Sequence, residues 1–218
     1  LDGYDLYEEQ AIFDTALGLV LNWTNRLLFL KLLESQLLAF NKGAFSKFLT
    51  ISIIPDYDVL NDLFMKVLAV PVDHREDEFR ETFKDVPYLN SSLFEKSAME
   101  KKFFPISGIR LGSMEVMNQT AIKDNNGKRF KGSLSTLEYL FRFLDAYDFG
   151  IEKQGADRLL QQESKTIINA SVLGKIFEKI NGYKDGSFFT PGYITEYICH
   201  KTLRRAVVNR FNDIKGWT

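Results

Sequence analysis

The stretch EEQAIFDTALGLVLNWTNRLLFLKLLESQLLAF, residues 8 to 40, decides the fold class of this chain. Its apolar residues recur at the three- and four-residue spacing of an α-helix, with polar residues between them. The positions that follow this spacing are Ile12, Leu19, Trp23, Leu27, Leu30, Leu37 and Leu38. Because Lys31 and Glu34 interrupt the most apolar part, we expect one long core helix, or two in series, and not a membrane span.

Further helical patterns follow along the chain. One begins after Pro55, where Asp56 or Asp58 can cap it, and ends at Pro71. Its apolar face consists of Leu60, Phe64, Val67 and Leu68. Two later faces consist of Leu137, Leu140, Phe141, Leu144 and Tyr147, and of Leu173, Ile176, Phe177 and Ile180. A chain break is predicted at 182–186, followed by a last helix from about Pro191 to Phe211.

A different pattern occupies residues 106–131, where apolar and polar residues alternate around the sequence Asp124-Asn125-Asn126-Gly127. This sequence favours a turn with positive φ and therefore predicts a β-hairpin. The predicted fold is mainly α, a helical bundle-like connector with a small antiparallel β-hairpin insertion. We divide it into a helical region 1–104, the hairpin insertion 105–132 and a second helical region 133–218.

Composition limits the partners of the chain. Its 218 residues carry a formal net charge of −1 and a pI near 6.2, so any DNA contact must be local. The charged stretch HREDEFRE, residues 74 to 81, is typical of a solvated helix face. A single cysteine, Cys199, excludes an internal disulfide and is expected to be a buried, inert thiol. We expect a cytoplasmic protein with no membrane partner.

The sequence contains no complete catalytic or metal-binding motif, and we predict no catalytic residue and no metal ligand in this chain. Glu163 and Lys165 have the ExK spacing that nucleases use beside an upstream aspartate, which Asp157 or Asp148 could supply. The triplet lies in a polar stretch, residues 151–165, that is typical of a solvated loop or linker.

Two features mark the last predicted helix. At its start, in GSFFTPGYITEY, residues 186 to 197, Thr190 can cap the helix and Pro191 suits its first position. The same free N–H groups could instead bind an anion. Further along, Lys201, Arg204 and Arg205 share a face, and Arg210 follows. These cations either contact DNA phosphates or form a solubilising face.

Three segments together resemble type IIG restriction-modification enzymes, single chains that join a nuclease to an adenine-specific DNA methyltransferase. NRLLFLKLLESQLL, residues 25 to 38, is similar to the RLLFxRFLE helix of that family. VPYLNSSLFE, residues 86 to 95, resembles its PYLNGGLFE block, with Ser91 and Ser92 in place of the glycine pair. NASVLGKIFEKINGYKDGSFFTPGYITEYI, residues 169 to 198, resembles the LGxIYE…GxFYTPxxIxxYI run that leads into the methyltransferase.

The resemblance implies that Phe189, Thr190 and Pro191 are motif X, which helps to hold the methionine end of S-adenosylmethionine. The full-length enzyme would use this cofactor, Mg for its nuclease, and double-stranded DNA as substrate, with nuclease and methyltransferase domains as neighbours. Neither a DPAxGSG-like cofactor loop nor an NPPY-like catalytic loop occurs in residues 1–218, so the isolated chain is expected to be inactive and to bind no cofactor. The alternative is a helical interaction or scaffold module in which the FTP sequence only starts a helix.

Overall fold

The computed structural model describes residues 2–41, 46–149, 168, 170–185 and 190–216, and it describes no side chains for residues 2–7, 170 and 181–185. Helix α1, Asp2–Phe40, is a single unbroken helix and confirms the prediction from residues 8–40. It ends at Phe40, and the backbone and side-chain N–H groups of Asn41 both donate to the carbonyl of Leu37, at 3.0 and 2.9 Å. Lys42 and Gly43 of the predicted stop signal lie outside the described residues.

The second half of α1 forms one side of the main core. Leu19, Trp23, Leu27 and Leu30 are buried there, whereas Ile12 near the start of the helix is exposed. By length and composition Glu8–Phe40 could cross a membrane, a property that buried core helices share. Because this helix also buries Arg26 and Lys31, which form ion pairs with Glu100 and Asp145 of other elements, we assign it as a core helix.

The segment after Pro55 packs into the same core. Helix α2, Tyr57–Asp62, begins at Asp56, whose carboxylate accepts the N–H of Val59 at 2.9 Å. It continues as a π-helical turn, Leu63–Leu68. The four predicted face residues, Leu60, Phe64, Val67 and Leu68, are all fully buried. The predicted helix is therefore confirmed, although its second half is wound more loosely than an α-helix.

Several short elements follow along the chain, and Phe79, Phe94 and Ile106 of these elements belong to the same core. The elements are α3, Asp77–Thr82, α4, Ala98–Lys102, and the 3-10 turns Val72–His74, Ser92–Phe94 and Ile106–Gly108. Within HREDEFRE most side chains are exposed, as predicted, but Arg75 is buried. Its guanidinium donates to the carbonyls of Val86 at 2.9 Å and of Val70 and Phe83 at 3.3 Å. Arg75 thus anchors this charged segment to the core through backbone carbonyls. The acidic residues beside it in the sequence gave no indication of its burial.

The β structure is small and antiparallel. Strand β1, Ser113–Glu115, pairs with β2, Ser133–Ser135, in the register Ser113 with Ser135 and Glu115 with Ser133. Between them a second pairing, Lys123 with Arg129, closes the predicted turn, and Gly127 there has φ of 75°. Helix α5, Thr136–Asp145, follows directly and is capped by the Ser135 side chain. It buries Leu137, Phe141 and Leu144, as predicted.

The described part of the chain is thus mainly helical with one two-stranded antiparallel sheet, as predicted. It divides into two compact units, Leu1–Asn169 and Ala170–Thr218. The predicted boundaries near residues 104 and 132 lie inside the first unit and stay predictions.

The second unit contains α6, Ala170–Asp185, and α7, Gly192–Lys215. Since α6 passes through Gly182 and continues to Asp185, the predicted break at Gly182 is wrong. A glycine inside a helix costs only about 1 kcal/mol, which the surrounding helix formers can offset. Of the predicted apolar stripe on α6, Leu173 is buried, and Ile176, Phe177 and Ile180 are half-buried.

Candidate functional site

The predicted cofactor-binding sequence lies at the start of α7. Phe189 is outside the described residues, whereas Thr190 and Pro191 are described and both exposed. The helix begins at Gly192, so its N-cap residue is Pro191 and not Thr190 as predicted. Pro191 has an extended ψ of 140° and no side-chain group that could cap the helix. Its carbonyl accepts the N–H groups of Ile194 and Thr195 at 2.9 and 3.2 Å.

This start leaves specific backbone groups for a ligand. Since an intrahelical N–H bond spans four residues, the N–H groups of Gly192 and Tyr193 have no acceptor within the helix. They lie at the positive end of a 24-residue helix, beside the exposed hydroxyl-bearing Thr190. The arrangement is chemically suited to a carboxylate, as the resemblance implies.

The four predicted phosphate-contacting residues also lie on α7, and all are exposed. At about 100° per residue, Lys201, Arg204 and Arg205 fall on one side of the helix. Arg210 is turned by about 140° from Arg205 and lies on another side. Lys201 Nζ sits 5.5 Å from the centre of the Tyr197 ring, a cation–π distance. The helix therefore brings three of the four predicted cations together and separates the fourth.

The first two segments of the resemblance meet in the structure. Arg26 of the first segment is fully buried and donates from Nε to the carbonyl of Leu93 at 2.6 Å and from Nη2 to that of Glu95 at 2.7 Å. Both carbonyls belong to the second segment. Phe29 and Phe94 add an edge-on ring contact with centroids 5.9 Å apart. These residues hold α1 against the segment 86–95 and form a structural junction, not a catalytic site.

Glu100 completes this junction from α4. Its two carboxylate oxygens accept Arg26 Nη1 at 2.6 Å and Nη2 at 2.8 Å, and Trp23 Nε1 adds a bond of 2.9 Å. The backbone N–H of Ser97 donates to the same carboxylate as part of a capping box. Burial alone would raise the pKa of Glu100, but the bonds from Arg26, Ser97 and Trp23 outweigh it and lower the pKa from 4.5 to about 2. Glu100 is therefore a permanently charged structural partner at neutral pH.

Ser91, which stands in place of the first glycine of the pair, has a structural role at the same place. Ser91 has a φ of −140°, which any residue adopts, and its hydroxyl accepts the N–H of Leu93 at 3.3 Å. This position does not need the left-handed conformation that favours glycine. The serine supports the 3-10 turn that presents the Leu93 and Glu95 carbonyls to Arg26.

A second buried ionic group links α1 to α5. The Lys31 ammonium contacts Glu34 at 2.6 Å and also Asp145, while the other oxygen of Glu34 accepts the N–H groups of Phe48 and Leu49 at 2.8 Å. Burial lowers the pKa of Lys31, but its two carboxylate partners more than offset this effect, so that the pKa lies above its ordinary value. The group fixes the chain after α1 and the end of α5 to the same point.

Sequence analysis missed Arg26 and Glu100. The available signal was the position of Arg26, seven residues after Leu19 and four before Leu30, on the apolar stripe of α1. A charged residue on a buried stripe requires a buried partner. Nothing in the local sequence indicated that the partner is Glu100.

The nuclease-like triplet cannot be placed, because Asp157, Glu163 and Lys165 lie outside the described residues. Within the described part of the chain, no three His, Cys, Asp or Glu side chains form a group that could hold a metal ion. Cys199 is exposed, so its predicted burial is wrong. The reason is that α7 contains no buried residue.

This chain belongs to a family described as a domain of unknown function, DUF7814, which matches residues 2–168. Over 214 residues it is 28% identical to the "Putative type II restriction enzyme and methyltransferase" of Methanocaldococcus jannaschii. The similarity covers 88% of this chain and 15% of that relative, so the chain spans a small part of the relative's length. No solved structure shows significant similarity to the chain. A relationship to restriction-modification enzymes is confirmed, whereas the type IIG assignment and motif X stay predictions.

Proposed function

We propose that this chain is a segment of a type IIG restriction-modification enzyme that links the nuclease to the adenine-specific methyltransferase and supplies motif X. The observation that carries the proposal is the similarity over 88% of the chain to a much longer relative whose name combines a restriction enzyme with a methyltransferase. S-adenosylmethionine-dependent methylation and Mg-dependent cleavage of DNA belong to the full-length protein. This segment provides their connection and one wall of the cofactor pocket.

The linking role is supported by the way the first unit is held together. Arg26 and Glu100 join α1 to α4 through a doubly hydrogen-bonded, fully buried pair. Lys31 and Asp145 join α1 to α5. Side chains in such networks are fixed by several partners at once, which makes the unit resistant to bending. A stiff body is what a connector needs in order to hold two enzymatic domains at a defined separation.

The motif X role is supported by the start of α7. The hydroxyl of Thr190 and the N–H groups of Gly192 and Tyr193 are chemically suited to the carboxylate of the methionine moiety. Since Pro191 begins the helix without a side-chain cap, no protein carboxylate or hydroxyl at the N-cap position competes for these groups. The aromatic part of the motif, Phe189, would pack against apolar ligand surface.

The exposure of α7 supports its place as the first helix of a larger domain. Large apolar side chains remain exposed along its whole length, namely Tyr193, Tyr197, Ile198, Leu203, Val207, Val208, Phe211 and Ile214. Exposed apolar surface of this extent typically marks an interaction site. In the proposed enzyme the remainder of the methyltransferase domain would cover these residues, and Lys201, Arg204, Arg205 and Arg210 would be available to DNA phosphates.

The test is the cofactor affinity of the full-length protein that contains this chain. Thr190→Ala should weaken S-adenosylmethionine binding by about 10- to 150-fold, because a hydrogen bond to a charged group contributes about 1.5 to 3 kcal/mol. Thr202→Ala is the matched control, since Thr202 is also exposed and lies on α7 about three turns from the helix start. Calorimetry gives both affinities, and circular dichroism shows that the fold is retained.

Equal affinities for wild type, Thr190→Ala and Thr202→Ala would contradict the motif X role. That result would favour the scaffold alternative, in which α7 presents its apolar side chains to a protein partner and the FTP sequence starts the helix without binding a cofactor. A reading frame that continues without DPAxGSG-like and NPPY-like sequences within about 100 residues, one domain's length, would contradict the methyltransferase itself.

A further inference from the structure

A basic finger projects from the first unit between β1 and β2. It consists of residues 121–132, AIKDNNGKRFKG, with Lys123, Lys128, Arg129 and Lys131 against the single acid Asp124, a net charge of +3 in a chain whose net charge is −1. All four cationic residues are exposed. None of them forms an ion pair with another residue in the described part of the chain. Charge of one sign is therefore concentrated on a short projection.

The finger has a defined backbone. Phe130 N donates to the Ile122 carbonyl at 2.9 Å, Asp124 N to the Lys128 carbonyl at 2.7 Å, and Gly127 N to the Asp124 carbonyl at 3.0 Å. The Asp124 side chain also accepts the N–H groups of Asn126 and Lys128 at 2.9 Å. Asp124, the only acid in the finger, therefore uses its carboxylate for hydrogen bonds within the turn and does not neutralise the four cations.

The base of the finger is anchored in a small apolar cluster. Ile122, Val116 and Leu134 are buried there, and Phe130 and Tyr139 pack against them. Arg142 of α5 lies 5.3 Å from the centre of the Phe130 ring and is itself held by Glu138 at 2.7 Å. Ile122 and Phe130 thus point inward from the two sides of the hairpin.

Strand geometry then places three of the four cations, Lys123, Arg129 and Lys131, on one face. Since side chains alternate between the two faces of a strand, an inward Phe130 sends Arg129 and Lys131 to the opposite, outer face. An inward Ile122 does the same for Lys123, which pairs directly with Arg129. Neighbours on one face of a strand are about 6.6 to 6.8 Å apart, close to the separation of successive phosphates along a DNA strand. The outer face combines charge, spacing and rigidity.

We infer that the basic finger is a contact for the sugar–phosphate backbone of double-stranded DNA. The inference rests on the proposed function, which makes DNA the substrate of the full-length protein. Lysine, arginine and asparagine side chains are among the groups that contact the DNA backbone, and Asn125 and Asn126 stand exposed at the tip. The large apolar side chains of the finger face its base, so it lacks the exposed aromatic anchors that protein interfaces favour. The contact is independent of base sequence and adds affinity and orientation.

The experiment measures binding of the full-length protein to fluorescent duplexes of unrelated sequence over a series of salt concentrations. The triple variant Lys123→Gln, Arg129→Gln and Lys131→Gln removes the three charges of the outer face and leaves the turn residues 124–128 intact. The matched control is Lys96→Gln, Lys101→Gln and Lys102→Gln, which removes three exposed charges elsewhere in the same unit. Thermal unfolding verifies that both variants are folded.

The finger variant should bind every duplex more weakly at low salt than wild type and control. The logarithm of affinity falls as the logarithm of salt concentration rises. For the finger variant this slope should become less steep by about 2 to 3, because each phosphate contact contributes about 0.9. An affinity and slope equal to those of the control would overturn the inference and assign the finger to another partner, such as an acidic protein. If wild type binds S-adenosylmethionine and methylates DNA in that case, the proposed function stands. A wild-type protein that neither binds nor methylates DNA would refute both.

Discussion

The most direct test of the structural junction is Glu100→Gln, which removes the negative charge that faces Arg26. Both side chains are fully buried, so the substitution leaves a guanidinium without its charged partner. Removing one partner of a buried pair typically costs about 3 to 5 kcal/mol. The lowered pKa of Glu100 gives an independent value for this free energy. A fall from 4.5 to about 2 corresponds to about 3 kcal/mol, which agrees with this range. We expect the free energy of unfolding to fall by about 3 kcal/mol at pH 7.

The pH dependence separates this mechanism from a general packing defect. Because the folded-state pKa of Glu100 is depressed, the contribution of its charge to the free energy of unfolding is fully present above about pH 4.5 and is lost as the pH falls towards 2. Urea unfolding of wild type and Glu100→Gln at pH 7, 5, 4 and 3 should therefore show a difference that narrows below pH 4.5. Glu95→Gln is the control, since its side chain is exposed while its carbonyl still binds Arg26. Equal stability at pH 7, or a difference independent of pH, would refute the reasoning.

Two further substitutions test other parts of the first unit. Lys31→Met should lower the free energy of unfolding by about 3 kcal/mol, because it leaves the buried Glu34 carboxylate without its cation. The same change at the half-exposed Lys66, whose partner is Asp62, should have little effect in the same denaturation assay. Gly127→Ala should lower the free energy of unfolding by about 1 kcal/mol, because Gly127 has φ of 75°. Gly112→Ala is the control and should be neutral, since its new Cβ would meet only Thr136 Cγ2 at 3.9 Å. Equal effects of the two substitutions would contradict the assigned turn.

Local sequence patterns predicted the elements whose residues interact mainly with near neighbours. The apolar period of residues 8–40 predicted α1, and the face of Leu60, Phe64, Val67 and Leu68 predicted the helical segment after Pro55. The turn at Gly127 was likewise evident, because a positive φ leaves a strong sequence signal.

Long-range pairings were not predictable in the same way. Arg26 and Glu100 are 74 positions apart, and Lys31 and Asp145 are 114 apart, so no local spacing connects them. The buried Arg75 was hidden for a related reason. It lies in a stretch of charged residues, and its partners are backbone carbonyls, which every sequence contains. The helix start at Pro191 shows a smaller error, since composition alone did not distinguish the N-cap from the first helical residue.

Packing within the fold accounts for the first two segments of the resemblance but not for all of the third. The first two segments contact each other through Arg26, which donates to the carbonyls of Leu93 and Glu95. These bonds give both segments a structural role that needs no ligand. In the third segment Leu173 of α6 is buried, but Thr190 and Pro191 are exposed and take no part in the core. A Thr-Pro pair that neither caps α7 with a side chain nor packs in the core gains little stability where it stands. This contrast is the structural reason to test Thr190 for a ligand and Glu100 for stability, and to expect the two substitutions to affect different measurements.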